Sequence, residues 1–189
     1  MGGRRPAAAA GAVVRLANPG DATVLAELRY AFRSEMAVPT EPETQFLERV
    51  AQWLANRLGG GVWTGWIACA PGEPVGLVLV QLVEKVPNPA PEAENIGYVS
   101  SLYVRPRWRG RGIGGRLLTT ALDFCRRSGV DNAVLWPSPR SIPLYQRHGF
   151  RSVGEVMELR WASDQASQNS PGLRAAAQPL SSGRAEAPR

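Results

Sequence analysis

The sequence predicts an α/β fold in which a mixed, mostly antiparallel sheet is flanked by helices, and three observations carry that prediction. Apolar runs rich in Val, Ile and aromatic residues are interleaved with segments whose apolar residues return every three to four positions. Their order is strand, helix, helix, strand, strand, then two strand-and-helix pairs, then two closing strands. Composition shifts at both ends, because residues 1–11 are dominated by Gly, Ala and Arg, while residues 162–189 have no aromatics and few large aliphatics. Neither end offers enough apolar surface to offset its ordering entropy, which predicts a disordered leader over 1–11, a folded domain over 12–161 and a disordered tail over 162–189.

Residues 13–17 read as the first strand, and Asn18-Pro19-Gly20-Asp21 as a turn whose Asp21 can cap the next helix. Leu25, Leu28 and Phe32 then recur at helical spacing. A second helix is marked by Phe46, Leu47, Val50, Trp53, Leu54 and Leu58 and stopped by Gly59-Gly60-Gly61. Residues 63–70 and 75–83 flank the four-residue turn Pro71-Gly72-Glu73-Pro74 and predict a hairpin. Three prolines over 84–95 make a loop, and residues 96–104 form the next strand. A glycine-rich turn follows, then a helix with Ile113, Leu117, Leu118, Ala121, Leu122 and Cys125 on one face. Residues 132–136 supply another buried strand, and Ser141 is placed to cap a short helix that tolerates Pro143 in its first turn and ends at Gly149. Residues 150–153 and 155–161 close the sheet as strands.

Several function classes are disfavoured by residue counts. Two cysteines, Cys69 and Cys125, are too few for a disulfide scaffold and lack metal-ligand spacing; with His148 the single histidine, no metal site is expected. The amino-terminal arginines and alanines mimic a signal peptide, but the apolar run is short and broken by Arg15; Pro6 stands where myristoylation needs Ser or Thr. No stretch approaches the ~18 apolar residues of a membrane span, so a cytoplasmic protein without membrane partners is expected. The net charge of +6 raises nucleic-acid binding, yet the arginines gather at one turn and the tails with no binding motif, and no nucleic-acid partner is expected.

In Arg109-Gly110-Arg111-Gly112-Ile113-Gly114-Gly115 the chain leaves a strand and enters a helix without side chains at four positions. Backbone N–H groups can there converge on a ligand oxygen, helped by the positive end of the helix and by Arg105, Arg107, Arg109, Arg111 and Arg116. A pyrophosphate suits such a turn; the alternative is a tight turn with a solvated arginine face. The dinucleotide fingerprint G-x-G-x-x-G is not met, and the P-loop lysine is missing.

The stretch resembles motif A of the GCN5-related N-acetyltransferase (GNAT) superfamily, R/Q-x-x-G-x-G/A, through Arg109, Gly112 and Gly114 after Leu102-Tyr103-Val104-Arg105-Pro106. Leu144-Tyr145-Gln146-Arg147-His148-Gly149-Phe150 is similar to the family's L-Y-x-x-x-G-F. The resemblance implies a sheet with a V-shaped split between its central strands and acetyl-coenzyme A lying in the V. It further implies pantetheine contacts from the backbone of Leu102, Tyr103 and Val104, and pyrophosphate contacts from Arg109, Gly110, Arg111, Gly112, Ile113 and Gly114. Tyr145 would reprotonate the departing sulfur as general acid; read alone, it is equally a core aromatic with a bonded hydroxyl. Family members often carry Asn seven residues before this tyrosine and Ala four before it, where this chain has Ser138 and Ser141. Ser141 is carried as a cofactor-contact candidate, and the contact made by that Asn is in question.

An alkyl amine attacks a thioester only when unprotonated, and a lysine-like amine of pKa about 10.4 is mostly charged at neutral pH. The acidic residue that many relatives place before the strand motif is replaced by Ser100 and Ser101, either of which can hold a relay water. Glu35, Glu84 and Glu94 are the candidate bases, with solvated surface carboxylates the competing reading. By strand alternation Ser100, Leu102 and Val104 share one face, and Ser101 and Tyr103 the other. Residues 102–151 hold ten Arg and Lys against two Asp and Glu, whereas residues 12–101 hold six against ten. That asymmetry predicts a small cationic amine acceptor, unless the acidic residues are simply solvated helix faces. Tyr30, Phe32, Trp53, Trp63 and Trp66 are mostly core, with some available to an acceptor pocket. A peptide or protein N-terminus as acceptor and a non-catalytic acyl-CoA sensor are the rival readings, and a monomer or homodimer is expected.

Overall fold

The computed structural model describes residues 11–58, 60–89 and 91–152. A five-stranded sheet runs in the order β1-β2-β3-β4-β5, from β1 (Val13–Leu16), β2 (Trp63–Ala70), β3 (Glu73–Glu84), β4 (Asn95–Val104) and β5 (Ala133–Val134). The first four strands pair antiparallel and β5 pairs parallel to β4, the mixed sheet that the element order predicted. Helices α1 (Ala22–Ser34) and α2 (Glu43–Leu58) cover one face, and α3 (Ile113–Arg127) with α4 (Ile142–Arg147) covers the other.

Alternation along the central strands feeds both layers. On β3, Val78 and Val80 pack toward α3, while Leu77 and Leu79 pack toward α1 and α2. From α1 come Leu25 and Leu28 and from α2 Leu54; α3 offers Ile113, Leu117, Leu118 and Ala121, all fully or almost fully buried. At the β4–β5 junction α3 lies so close that a Cβ on Gly97 would stand 2.7 Å from the Cys125 Sγ, which is why a residue without a side chain sits there. Cys125 is buried, its thiol pushed up by burial, and Cys69 is half-buried on β2.

Three local expectations are corrected. Asp21 does not cap α1; its carboxylate turns back to accept from the Asn18 N–H at 2.9 Å and to pair with Arg15 at 2.6 Å, closing a single 3₁₀ turn over Pro19–Asp21. The β2–β3 turn is the two residues Pro71 and Gly72, because Ala70 already pairs with Glu73, and Pro74 falls at an irregularity where its missing N–H is tolerated. Ser141 does not cap α4; its hydroxyl donates back to the Ser138 carbonyl at 2.8 Å. Of the closing strands, 155–161 lies outside the described residues, and Phe150, Arg151 and Ser152 belong to no strand.

Candidate functional site

The pairing of β4 with β5 is confined to Gly97 with Ala133 and Tyr98 with Val134. Beyond Tyr98, β4 keeps β3 on one side and has no strand on the other among the described residues, which opens the V. Register on β3 jumps between Leu79, opposite Ser100, and Leu77, opposite Tyr103, so β4 carries one extra residue, a β-bulge. Ser101 sits in it with φ +57°, the single non-glycine residue at positive φ among the described residues. The bulge reverses the face alternation. Leu102 and Val104 pack toward α3 and Tyr103 toward α1, but Ser100 does not share the face of Leu102, since its hydroxyl lies 3.3 Å from that of Ser101, which receives a bond from α1.

The chain passes from Val104 through one 3₁₀ turn, Pro106–Trp108, into the glycine turn. Gly110 and Gly112 adopt φ +74° and +76°, a left-handed geometry natural to glycine, and a Cβ on either would meet nothing within 4 Å. The N–H groups of Gly112, Ile113, Gly114 and Gly115 donate to no carbonyl among the described residues, as expected of the first turn of a helix. Around them Arg107 pairs with Glu73, Arg105 donates to the Pro74 carbonyl at 3.1 Å, and Arg116 to the Ala12 carbonyl at 2.8 Å. Arg111 lies 4.7 Å over the Trp108 ring without a carboxylate partner among the described residues, available to an incoming anion. The turn therefore has donors, room and a spare cation for a pyrophosphate.

Glu35, at the end of α1, accepts from the Tyr103 phenol at 2.8 Å and from Arg109 at 2.6 and 2.8 Å, with Arg140 at 3.9 Å. Partial burial raises its carboxyl, but the Arg109 and Tyr103 hydrogen bonds and the two guanidinium charges outweigh it and hold the group below the ordinary value. Burial and Glu35 push the Tyr103 phenol up to about 12. Glu35 thus stands at the mouth of the V, engaged with the arginine of the glycine motif. Glu84 and Glu94 are exposed at the far end of the β3–β4 hairpin, where Glu84 pairs with Asn95, roughly 17 Å along the strand from the bulge.

Tyr145 is buried on α4 in the core layer shared with α3 and meets Phe150 edge-on at 5.6 Å. Burial pushes its phenol up and Ser141 only partly offsets that, so the hydroxyl keeps its proton throughout the neutral range. The Ser138 hydroxyl donates to Ser141 at 3.0 Å. His148 is half-buried with Nδ1 2.9 Å from the Leu144 carbonyl, against Gly115.

Two features of the cleft were missed by sequence reasoning, the place of Tyr98 and Trp136 beside the already named Trp53 and Trp63, and Arg29. Tyr98 meets Trp63 and Trp136 edge-on, Trp63 meets Trp53, and Trp136 remains 60% exposed beside the point where β4 and β5 part. Arg29 reaches from α1 to within 3.0 Å of the Ser101 hydroxyl. The available signal for Arg29 was a cation inside the apolar stripe of Leu25, Leu28 and Phe32. Glu41, counted among the carboxylates expected to draw a cation, is itself paired with Arg49.

Comparison with known proteins agrees with this geometry. The acetyltransferase (GNAT) family model matches residues 25–150. The chain is 32% identical over 151 residues to aminoglycoside N(6')-acetyltransferase type 1 of Stenotrophomonas maltophilia, covering 78% of this chain and 91% of that one. Among solved structures, a GCN5-related N-acetyltransferase from Ralstonia eutropha superposes with a TM-score of 0.68 at 28% identity, covering 79% of this chain and 99% of that one. A predicted acetyltransferase from Clostridium acetobutylicum, solved with acetyl-CoA, gives 0.69 at 21% identity, covering 79% and 96%.

Proposed function

Because the chain belongs to the acetyltransferase (GNAT) family, we propose that it transfers an acetyl group from acetyl-coenzyme A to a small amine by direct attack within a ternary complex. One observation carries the proposal: the strand edge bared where β4 leaves β5 leads through one 3₁₀ turn into a glycine turn whose Gly112, Ile113, Gly114 and Gly115 N–H groups donate to no carbonyl among the described residues. Acetyl-coenzyme A supplies an acetyl group activated as a thioester. The exposed backbone of Leu102, Tyr103 and Val104 lines the pantetheine path, and the N–H groups from Gly110 to Gly114, with Arg111 beside them, hold the pyrophosphate. Arg109, fixed by Glu35 and by its bond to the Val104 carbonyl, shapes the turn. Ser141, hydrogen-bonded to the Tyr145 phenol, is a further cofactor contact.

The acceptor ammonium must first lose a proton, and the paired Ser100 and Ser101 hydroxyls offer a polar path for it. Glu35 is a weak base while Arg109 and Tyr103 hold it, so its part is to position Arg109. A C–N bond then forms, the C–S bond breaks, and the Tyr145 Oη proton passes to the leaving sulfur, while the proton shed by the newly acylated nitrogen restores the Tyr145 phenol. The aminoglycoside-modifying relative and the exposed Glu43 and Glu48 support an acceptor that is cationic under neutral conditions.

The test is release of free coenzyme A thiol with polyamines, aminoglycosides, amino acids and short peptides. Tyr145→Phe should lower kcat on the order of 10²-fold with little change in coenzyme A affinity. Unchanged kcat in that variant would return Tyr145 to the core. Intact coenzyme A binding with silence across every amine would favour the sensor reading.

A further inference from the structure

Arg29 is a partly buried cation without a carboxylate partner among the described residues. Its contacts are the Ser101 hydroxyl and the Phe32 ring, 5.7 Å from the guanidinium carbon. Five other arginines, Arg15, Arg49, Arg107, Arg109 and Arg126, each hold a carboxylate at 3.0 Å or less. The charge that acts on it from its own helix is Arg33, one turn on, so α1 carries two like charges at the i, i+4 spacing that weakens a helix. Leaving a desolvated guanidinium unpaired is costly, and a planar five-donor fork suits one partner best, an oxyanion. No such group lies on β4 here, where Ser100 and Ser101 occupy the bulge. The location decides where the anion comes from: Ser101 marks the point where β4 has just lost β5, while the pyrophosphate cradle lies beyond Val104, past the end of the strand.

We propose that the acceptor is an amine that also carries an oxyanion, a carboxylate or a phosphate, and that Arg29 is the residue that receives it. This rests on the transferase reading and narrows its cationic acceptor to one that also bears an anion, a demand that an unmodified aminoglycoside does not meet. Such a molecule is bound by its anion at the bulge and presents its nitrogen toward the parting of the strands. Cationic amines lacking the anion face Arg29 and Arg33 uncompensated.

Matched pairs test this: lysine against cadaverine, and glucosamine 6-phosphate against glucosamine. In the wild type the anionic member of at least one pair should show kcat/KM about tenfold or more above its sibling, the scale of one charge-assisted contact, and the responding pair identifies carboxylate or phosphate. Arg29→Gln should erase that advantage by lowering kcat/KM for the anionic member far more than for its sibling, with the coenzyme A melting shift retained, and Arg29→Lys should restore part of it. With coenzyme A present, the same anionic amine should raise the wild-type melting temperature and not that of Arg29→Gln. The proposal is overturned if neither anionic member outperforms its sibling in rate or melting shift, or if Arg29→Gln lowers both members of a pair equally. Anion-dependent melting shifts without thiol release would support Arg29 as the receptor while sinking the transferase reading; a missing coenzyme A shift would sink both.

Discussion

At Glu35 a single carboxylate joins the end of α1 to Tyr103 on β4, to Arg109 in the glycine turn and, at 3.9 Å, to Arg140 before α4. Its pKa in the folded chain lies below the unfolded value of about 4.3, so the folded protein binds fewer protons and Glu35 contributes stability fully above that value. The contribution is lost as pH falls through the lower, folded value. Melting temperatures followed from about pH 6 down to about pH 3 should decline in the wild type, and Glu35→Gln should start lower and decline less steeply. Asp21, depressed first by its Arg15 bond, moves in the same direction in both proteins, so the difference between the curves isolates Glu35. Parallel curves would show that the pairing is too solvated to matter. Nothing in the spacing of Glu35, Tyr103 and Arg109 announced this cluster, because its members lie 68 and 74 residues from Glu35 along the chain.

Between elements, α3 packs tightly against the β4–β5 junction. Gly97→Ala would drive its Cβ into the Cys125 Sγ, 2.7 Å away, at the position where β5 pairs with β4. Overpacking of this kind costs about 1–3 kcal/mol, and the melting temperature should fall by several degrees. Adding Cys125→Ala should recover part of the loss, a non-additivity that full additivity of the two changes would refute. The helices and strands from β1 to α4 were legible, since their periodicities survive in this sequence without competition, whereas the strand expected from Phe150 is not formed over the described residues 150–152. Their ends were less so. Asp21 and Ser141 both have the chemistry of a cap, yet each found a better partner, Arg15 and the Ser138 carbonyl, in folded geometry. The face of Ser100 was misassigned because strict alternation has no place for the extra residue in the bulge at Ser101.

Across the whole molecule the charge is divided, with ten cationic against two anionic residues over 102–151 and six against ten over 12–101. Folding neutralises much of the acidic half locally, as at Glu35, Glu41 and Glu73, while Arg111 stays uncommitted by the glycine turn. Coenzyme A is a polyanion, so raising salt from about 0.05 M to about 0.5 M, which shortens the screening length several-fold, should weaken its binding several-fold in calorimetry. Salt-independent affinity would assign the pyrophosphate to backbone N–H groups alone.

The sequence alone determined the family, the order of elements from β1 to α4 and the glycine turn, because each is written in residues close together along the chain: glycines that permit positive φ, and apolar residues at the period of a helix or strand. Tertiary structure decided which charges meet. The Glu35 clamp on Arg109, the bulge that turns Ser101 toward α1, and the unpaired guanidinium of Arg29 at the parting of β4 and β5 arise only when distant segments pack, and electrostatic partnership depends on distance in space, to which linear spacing is blind.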